Sequence, residues 1–288
     1  MDRILEQMQD WLKGFLVDGI MDLLSGMFAS VNDRVGDIST QVGTPPGSFA
    51  PGVFSMIQRL SETVVLPIAG LILTFIACYE LIQLIIAHNN LANFETWIFF
   101  KWIFKTTVAV YLISNCFTIT MAIFDVAQHV ISNAGGLIGA GTAIDDSALA
   151  SMRATLETMD LGPLIGVYFQ SLIVQLTIRA LSVVIFVIVY GRMIEIYLMV
   201  SLAPIPFSTF ANREQGHVGQ NYLKSLLAIG FQGFLIMICV GIYAVLIQTV
   251  AFSTDIVGSL WGVMGYTVLL VYTLFKTGSL SKSIFLAR

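Results

Sequence analysis

The sequence has few charges for its length. Only 11% of its 288 residues are Asp, Glu, Lys or Arg, whereas about 25% is usual in a soluble domain. Apolar residues make up 57% of the chain, and the mean hydropathy is +0.85. The 14 Lys and Arg are outnumbered by 18 acids, so no basic stripe is expected to neutralise nucleic-acid phosphates. The composition predicts an all-α membrane protein with several spans.

Residues that commonly carry chemistry are also scarce. The three cysteines lie inside apolar runs, and the three histidines lie apart from one another, without ligands at metal-binding spacing. The chain contains no Gly-rich phosphate loop ending in Lys-Ser or Lys-Thr, no His-Glu-x-x-His and no Gly-x-Ser-x-Gly. We therefore expect no enzyme activity, no metal and no cofactor.

The first 35 residues have the pattern of an amphipathic helix. Ile4, Met8, Trp11 and Phe15 recur at helical spacing and form an apolar face. The polar face is acidic, whereas membrane-surface helices are usually rich in Lys and Arg. Residues 1–35 are therefore predicted to be an amphipathic arm outside the membrane. Its apolar face packs either against a partner protein or another copy, or against the chain's own bundle.

Composition then divides the rest of the chain into a linker and a membrane domain. The stretch "GTPPGSFAPG" lies at the centre of a linker predicted at residues 36–58. A spanning helix needs about 20 predominantly apolar residues. The domain 59–288 contains about five such segments, predicted near 63–87, 103–124, 180–202, 227–250 and 256–275.

The positions of Lys and Arg predict the orientation, because short cytoplasmic loops collect these residues. Near the span ends, five spans with the N-terminus outside and the C-terminus cytoplasmic leave only Arg59 and Arg153 on the outside. A six-span arrangement with the N-terminus inside is the second alternative. The cytoplasmic set of the five-span arrangement is Lys101, Lys105, Arg213, Lys224, Lys276, Lys282 and Arg288.

Ionisable residues inside predicted spans are the candidate functional residues, because such groups usually face a bundle interior or an aqueous path. Arg192 and Glu195 are three residues apart, so they can neutralise each other on one helical face. Glu80 is a candidate second carboxylate. The cluster either clamps helices together or lines a translocation path, and the clamp is favoured because an ion pair consumes charge. The predicted intramembrane polar cluster is Glu80, Arg179, Arg192 and Glu195.

Span ends carry two further markers. Pro204 and Pro206 remove two backbone donors and are predicted to end the third span at the cytoplasmic side. Lysines beside tryptophans are typical of a belt at the membrane interface, where the charged ends reach water. This interface belt is predicted at Trp97, Lys101, Trp102 and Lys105.

The order of these elements resembles a known family. The acidic arm and the linker precede a first span, "ETVVLPIAGLILTFIACYELIQLI", then "NNLANFETWIFFKWIFKTTVAVYLI" and the helix end "MVSLAPIPFSTF". Together they resemble the VirB6/TrbL-like conjugal transfer proteins of type IV secretion systems. The particular resemblance is to the smaller members carried by integrative conjugative elements of Gram-positive bacteria, mobile genetic elements, and it covers essentially the whole chain.

The resemblance implies an inner-membrane channel or scaffold subunit that assists DNA transfer across the bacterial cell membrane. It implies contact with other copies, with other secretion-channel membrane subunits and with a VirB4-like ATPase. Single-stranded DNA bound to a relaxase would be the cargo. The loop 127–162, which matches a DNA-associated loop of larger members, is short and nearly devoid of Lys and Arg. The alternative functions are an ion-coupled small-solute transporter and a membrane assembly factor.

Overall fold

The computed structural model describes residues 2–87, 96–138, 146–212, 214–251 and 255–287. Within these ranges the chain is built from helices and contains no strand. Several of the helices are long and apolar enough to cross a membrane. The predicted fold class, an all-α polytopic membrane bundle, is confirmed. Arg213 and Arg288, which enter the orientation argument, lie outside the described residues.

The helices are numbered here in chain order. A π-helical turn, Ser61–Val65, lies between α3 and α4, and a 3₁₀ turn, Thr209–Ala211, follows α9. The α-helices are α1 Asp2–Gly43, α2 Pro46–Phe49, α3 Pro51–Leu60, α4 Leu66–Ala87, α5 Thr96–Ser114, α6 Cys116–Ile138, α7 Asp146–Thr158, α8 Leu161–Ser201, α9 Pro204–Ser208, α10 Gly216–Ala251 and α11 Ile256–Ile284.

Prolines set several helix boundaries. Pro46, Pro51 and Pro204 are the first residues of α2, α3 and α9. Proline is tolerated at this position because the first N–H of a helix has no intrahelical partner. The Ala-Pro-x-Pro motif therefore coincides with a break between α8 and α9, at the place where the sequence predicts the end of a span.

Pro67 has a different effect, because it lies inside the first turn of α4. It has no N–H to donate to the carbonyl of Thr63, and its ring crowds that carbonyl. Immediately before it the helix widens into the π-helical turn, in which the Leu66 N–H bonds to the oxygen of Ser61, five residues earlier. The chain from Pro51 to Ala87 thus stays helical around its proline.

The region predicted as a linker, 36–58, is mostly helical in the structure. Its first eight residues are the last two turns of α1, and its last eight lie in α3. Val35, Ile38 and Val42 are at most 5% exposed, so the buried side of α1 continues into this region. Packing of these residues overrides the weak helix propensity of Gly36, Ser39 and Thr40 between them.

Six helices in the described ranges meet the length and hydropathy of a membrane span, against about five predicted. The additional one is Glu6–Gly43, which covers most of the predicted arm and the start of the predicted linker. The predicted span 180–202 is the second half of the continuous helix α8. The six candidates are Glu6–Gly43, Pro51–Ile86, Trp97–Ser114, Leu161–Ala211, Gly216–Val250 and Ile256–Ile284.

The predicted span 103–124 is interrupted at Asn115, between α5 and α6. The carboxamide Nδ2 of Asn115 donates to the carbonyl of Tyr111 over 2.9 Å, and the backbone N–H of Asn115 reaches the same carbonyl over 3.1 Å. Asparagine side chains compete in this way with the helical hydrogen-bond ladder. The span prediction missed the break because periodicity does not register a single polar residue in an apolar run.

The chain divides into two compact units, which are described separately below. Unit 1 comprises Met1–Gly43, Ser132–Val189 and Leu235–Thr277, and unit 2 comprises Thr44–Ile131, Tyr190–Phe234 and Gly278–Arg288.

Unit 1 has a core centred on the C-terminal two thirds of α1. Fully or almost fully buried residues recur along α1 at steps of three and four, and they pack with α8, α10 and α11. Gly19 permits close approach of α8, because a Cβ there would lie 2.8 Å from the ring of Tyr168. The buried α1 residues, here called the inner stripe, are Ile20, Leu24, Met27, Val31, Val35, Ile38 and Val42.

Unit 2 has a core in which α4, α5, α6, α8, α9 and α10 meet. Tyr197 donates its hydroxyl to the carbonyl of Pro46 over 2.7 Å, and Tyr222 donates to the carbonyl of Met199 over 2.8 Å. Phenol groups in an apolar core need such acceptors, because an unbonded hydroxyl would be costly there. These bonds fix the α2 and α10 segments against the second half of α8.

Candidate functional site

Arg192 is the most buried charged residue that the sequence singles out. It lies on α8 in unit 2 and is only 6% exposed. Its Nε donates to the carbonyl of Ile229 over 3.3 Å, and its Nη2 donates to the carbonyl of Gly230 over 3.5 Å. Both acceptors are backbone oxygens of α10. The guanidinium therefore joins α8 to α10 through two long hydrogen bonds, without a carboxylate.

Two glycines of α10 make room for this contact. A Cβ on Gly233 would lie 2.6 Å from Nη2 of Arg192 and 2.5 Å from Cδ1 of Ile131, on α6. A Cβ on Gly230 would lie 3.1 Å from the Cβ of Ala127, also on α6. Small residues let helices in a membrane protein approach closely. We call the Gly230–Gly233 stretch, "GFQG", the glycine notch.

Backbone carbonyls can accept a second hydrogen bond because each oxygen has two lone pairs. In the regular helix α10, the carbonyls of Ile229 and Gly230 accept the hydrogen bonds of the N–H groups four residues later, on Gly233 and Phe234. Both carbonyls also accept from the guanidinium of Arg192, which satisfies two of its N–H donors. Burial of a guanidinium without such acceptors would be very unfavourable. The glycine notch and the arginine are therefore complementary in shape and in hydrogen bonding.

The predicted ion pair between Arg192 and Glu195 is wrong. Glu195 accepts instead from Nζ of Lys282, near the end of α11, over 3.0 Å. Three residues separate the two side chains by about 60° around the helix axis, so one faces α10 and the other faces α11. Helical spacing predicts that Arg192 and Glu195 are neighbours, but each side chain bonds to a group on another helix.

Glu80 does not join this pair either. It forms an ion pair with Lys105, which links α4 to α5 and in which the two side chains are 17% and 39% exposed. Trp102 donates its Nε1 to the carbonyl of Ala77 on α4 over 3.1 Å. Lys105 and Trp102 were predicted to be part of an interface belt, and the structure turns both towards α4.

The other two belt residues lie at the surface of α5. Trp97 is 59% exposed, and Nζ of Lys101 lies 5.5 Å from the centroid of its ring. A lysine over a tryptophan face is a cation–π contact. This half of the predicted belt is outward-facing, and its place at a membrane interface stays a prediction.

Arg179, the fourth member of the predicted cluster, lies in unit 1. It is on an exposed face of α8 and forms no hydrogen bond or ion pair with the part of the chain that the structure describes. Its neighbours on that face, Leu176 and Val183, are 71% and 63% exposed. The cluster predicted from sequence is thus four separate arrangements in the structure: Arg192 in the glycine notch, the Glu195–Lys282 pair, the Glu80–Lys105 pair, and Arg179 on an exposed face.

The Pro204–Pro206 motif is tied to the start of α10. Thr209 donates its hydroxyl to the carbonyl of Pro206 over 2.8 Å and accepts from the N–H of Gly219 over 3.0 Å. A Cβ on Gly219 would lie 2.8 Å from the same Pro206 carbonyl. The motif therefore shapes a compact turn that fixes where α10 begins in unit 2.

The predicted partner face of the N-terminal arm is on the surface. Ile4, Met8, Trp11 and Phe15 are 64%, 62%, 71% and 56% exposed, respectively. The apolar residues further along α1 form the inner stripe and are buried in unit 1. We call the four exposed residues the outer stripe. The later part of α1 thus packs within unit 1, and the role of the outer stripe as a partner face stays a prediction.

Sequence reasoning missed Gly230, Gly233 and Lys282. The available signal was the short spacing of two glycines in "GFQG" within an apolar run of α10, which is a mark of close helix packing. Among the described residues no group of three His, Cys, Asp or Glu side chains is placed to hold a metal.

These features define a polytopic membrane protein in which interior charges connect helices. The family model of the TrbL/VirB6 plasmid conjugal transfer like protein matches residues 31–204, more than half of the chain. The chain belongs to this family, as its sequence elements indicate. The match includes Arg192 and ends at Pro204. No curated protein and no solved structure matches the chain.

Proposed function

We propose that the chain is a scaffold and channel subunit in the cell-membrane part of a conjugative type IV secretion system. Membership of the TrbL/VirB6 family supports a membrane role in conjugal transfer. In the proposal several copies assemble with other membrane subunits, and DNA bound to a relaxase crosses the membrane within that assembly. In the five-span arrangement, in which α1 does not cross the membrane, the N-terminus lies outside and the C-terminus in the cytoplasm.

The contact of Arg192 with the glycine notch is the observation that carries the scaffold role. A charge bound to backbone carbonyls in a closely fitted notch is suited to fixing two helices in register. Glu195 and Glu80 are likewise each bonded to a lysine of another helix. A solute transporter needs ionisable groups that exchange partners during its cycle, and these three groups are already engaged in joining helices.

The proposal includes no catalytic step, metal or cofactor in this chain. Energy for transfer comes from a separate VirB4-like ATPase that contacts the assembly. DNA is not gripped by a basic patch, because Lys and Arg are few and scattered along the sequence. The role of this subunit is to hold the helices of the assembly in a defined arrangement.

Substitution of Arg192 tests the proposal in donor cells that carry the complete transfer system. Arg192→Met removes the charge and both hydrogen bonds but keeps an unbranched apolar side chain. We expect transfer to fall by about 5- to 150-fold, the range that corresponds to a loss of 1–3 kcal/mol of coupling. Arg192→Lys keeps the charge with fewer donors and should be intermediate.

Arg179→Met is the matched control, because it removes the same side chain from an exposed position of the same helix. Membrane levels of each variant are measured by immunoblotting of washed membranes. Normal transfer by Arg192→Met at normal membrane levels would contradict the proposed role. Ion or solute flux by the purified wild-type protein in vesicles, abolished by Glu80→Gln, would support the transporter alternative instead.

A further inference from the structure

The outer stripe of α1 is an apolar surface at the exposed end of a long helix. Residues 3–15, apart from the undescribed side chain of residue 5, are exposed, with Lys13 half-buried. The rings of Trp11 and Phe15 stack with centroids 5.9 Å apart and an angle of 17°. Ile4, Met8, Trp11 and Phe15 thus form one exposed apolar face of α1.

The spacing of the outer stripe is that of a coiled-coil seam. Steps of four, three and four residues separate its members, as the two apolar positions of a heptad do. Asp18 and Asp22 continue the same alternation by steps of three and four. At 3.6 residues per turn this seam lies on the side of α1 opposite to the inner stripe. The inner stripe is buried in unit 1, whereas the four apolar residues of the seam are exposed.

The two aspartates determine which kind of neighbour fits. Asp18 accepts from Nη2 of Arg153 over 2.7 Å and is 64% exposed. Asp22 is exposed, and its carboxylate has no hydrogen-bond or ion-pair partner in the part of the chain that the structure describes. Beside a second copy in parallel, Asp22 would face another Asp22, and like charges across a seam are unfavourable. Against lipid, the acyl chains would leave the Asp22 carboxylate without a hydrogen-bond partner, and anionic headgroups would repel it.

We propose that the outer stripe with Asp18 and Asp22 is a docking seam for one helix of a different protein. That helix is apolar where it faces the outer stripe and has Lys or Arg where it faces the two aspartates. The inference deepens the proposed scaffold role and rests on it only for the identity of the partner. The charge preference itself is a property of α1.

The seam is tested with two designed peptides of about three heptads. Both have Leu and Ile opposite the outer stripe, and they differ only in having Lys or Glu opposite Asp18 and Asp22. Binding to the full-length protein in nanodiscs is measured by fluorescence anisotropy. We expect the Lys peptide to bind at least about tenfold more tightly than the Glu peptide, because apposed like charges disfavour association.

Asp22→Lys should reverse this preference. Glu6→Lys is the control, because it makes the same change of charge on the opposite side of the same exposed helix. Equal affinity of the two peptides for the wild-type protein would overturn the proposal. A reversal caused equally by Glu6→Lys would also overturn it, because the preference would then come from net charge and not from the seam.

A photo-crosslinking phenylalanine at position 8 tests the occupant in cells with the complete transfer system. An adduct with another secretion protein, suppressed by adding the Lys peptide to permeabilised cells, supports the proposal. Adducts only with lipid, or only with a second 31.5 kDa copy, overturn it. These readouts do not involve Arg192, so failure of the seam is distinguishable from failure of the scaffold role.

Discussion

Arg192 and Arg153 differ in the burial and in the hydrogen-bond partners of their guanidinium groups. Arg192, in unit 2, is 6% exposed and binds the backbone carbonyls of Ile229 and Gly230. The side chain of Arg153, in unit 1, is 50% exposed and binds two carboxylates, Asp18 over 2.7 Å and Glu157 over 3.1 Å. The buried arginine has dipoles as partners, and the exposed one has charges.

The difference follows from what each environment demands. A buried guanidinium needs its donors satisfied in a fixed geometry, and the glycine notch supplies a fitted surface for that purpose. An exposed guanidinium is already hydrated, so a carboxylate adds little and salt screens the attraction. Contacts of Arg192 should therefore govern structure and function, whereas those of Arg153 should be dispensable.

Gly233→Ala should have the largest effect on stability, because the new side chain fills the glycine notch that the Arg192 guanidinium occupies. The new methyl group would lie 2.6 Å from Nη2 and 2.5 Å from Cδ1 of Ile131. Both atoms end long side chains, so the bundle still forms, but the guanidinium must leave its carbonyls. We expect a loss of about 1–3 kcal/mol in free energy of unfolding, measured by denaturant titration in detergent.

Gly191→Ala is the control for that substitution. It adds a methyl group one residue from Arg192, where nothing lies within 4 Å of the new Cβ. Alanine is the better helix former by about 0.5–1 kcal/mol, so this variant should be as stable as the wild type or more so. Equal destabilisation by Gly233→Ala and Gly191→Ala would contradict the prediction that the glycine notch requires a residue without a side chain.

The Glu195–Lys282 pair should have an intermediate effect, because its side chains are 42% and 48% exposed. Glu195→Gln or Lys282→Met should each lower the free energy of unfolding by about 1 kcal/mol or less, after allowance for solvent screening. Exchanging the two residues should restore most of the loss. A larger effect here than at Gly233 would reverse the proposed ranking of buried over exposed contacts.

Arg153→Gln should have the smallest effect, and that effect should fade in high salt. The hydrogen bond that Arg153 donates to Glu157 and the charge of Asp18 raise the pKa of the Arg153 guanidinium. A raised pKa gives stability that is present below the unfolded value and is lost only as pH rises through the folded value. Both values lie far above the neutral range, so Arg153 should add no pH dependence between about pH 5 and 9. A change in its contribution within that window, measured by melting curves of wild type and variant, would contradict this assignment.

Much of the architecture follows from sequence physics. Long apolar runs with few charges predict membrane helices whatever their neighbours, and prolines such as Pro204 predict boundaries because a ring and a missing N–H act locally. The order of these elements was enough to identify the family. The helical linker and the break at Asn115 were missed, because the first depends on burial of Ile38 and the second on one carboxamide bond.

The candidate site was less predictable for a physical reason. Spacing along one helix shows that Arg192 and Glu195 are adjacent, but not which group on another helix comes closer to either. Lys282 is distant in sequence, and the notch at Gly233 lies on α10. The residue types predicted which charged groups would lie among the helices. Only the packing of the helices showed which groups these residues contact.

A double-mutant cycle between Arg192→Ala and Gly233→Ala tests most directly whether the guanidinium occupies the glycine notch. If it does, removing the arginine side chain relieves the crowding of the new methyl group against the guanidinium, while Cδ1 of Ile131 still lies 2.5 Å from it. We predict that Gly233→Ala destabilises the wild type more than it destabilises Arg192→Ala, with a coupling energy of about 1–2 kcal/mol in free energy of unfolding. Additive effects, with no coupling, would contradict the account.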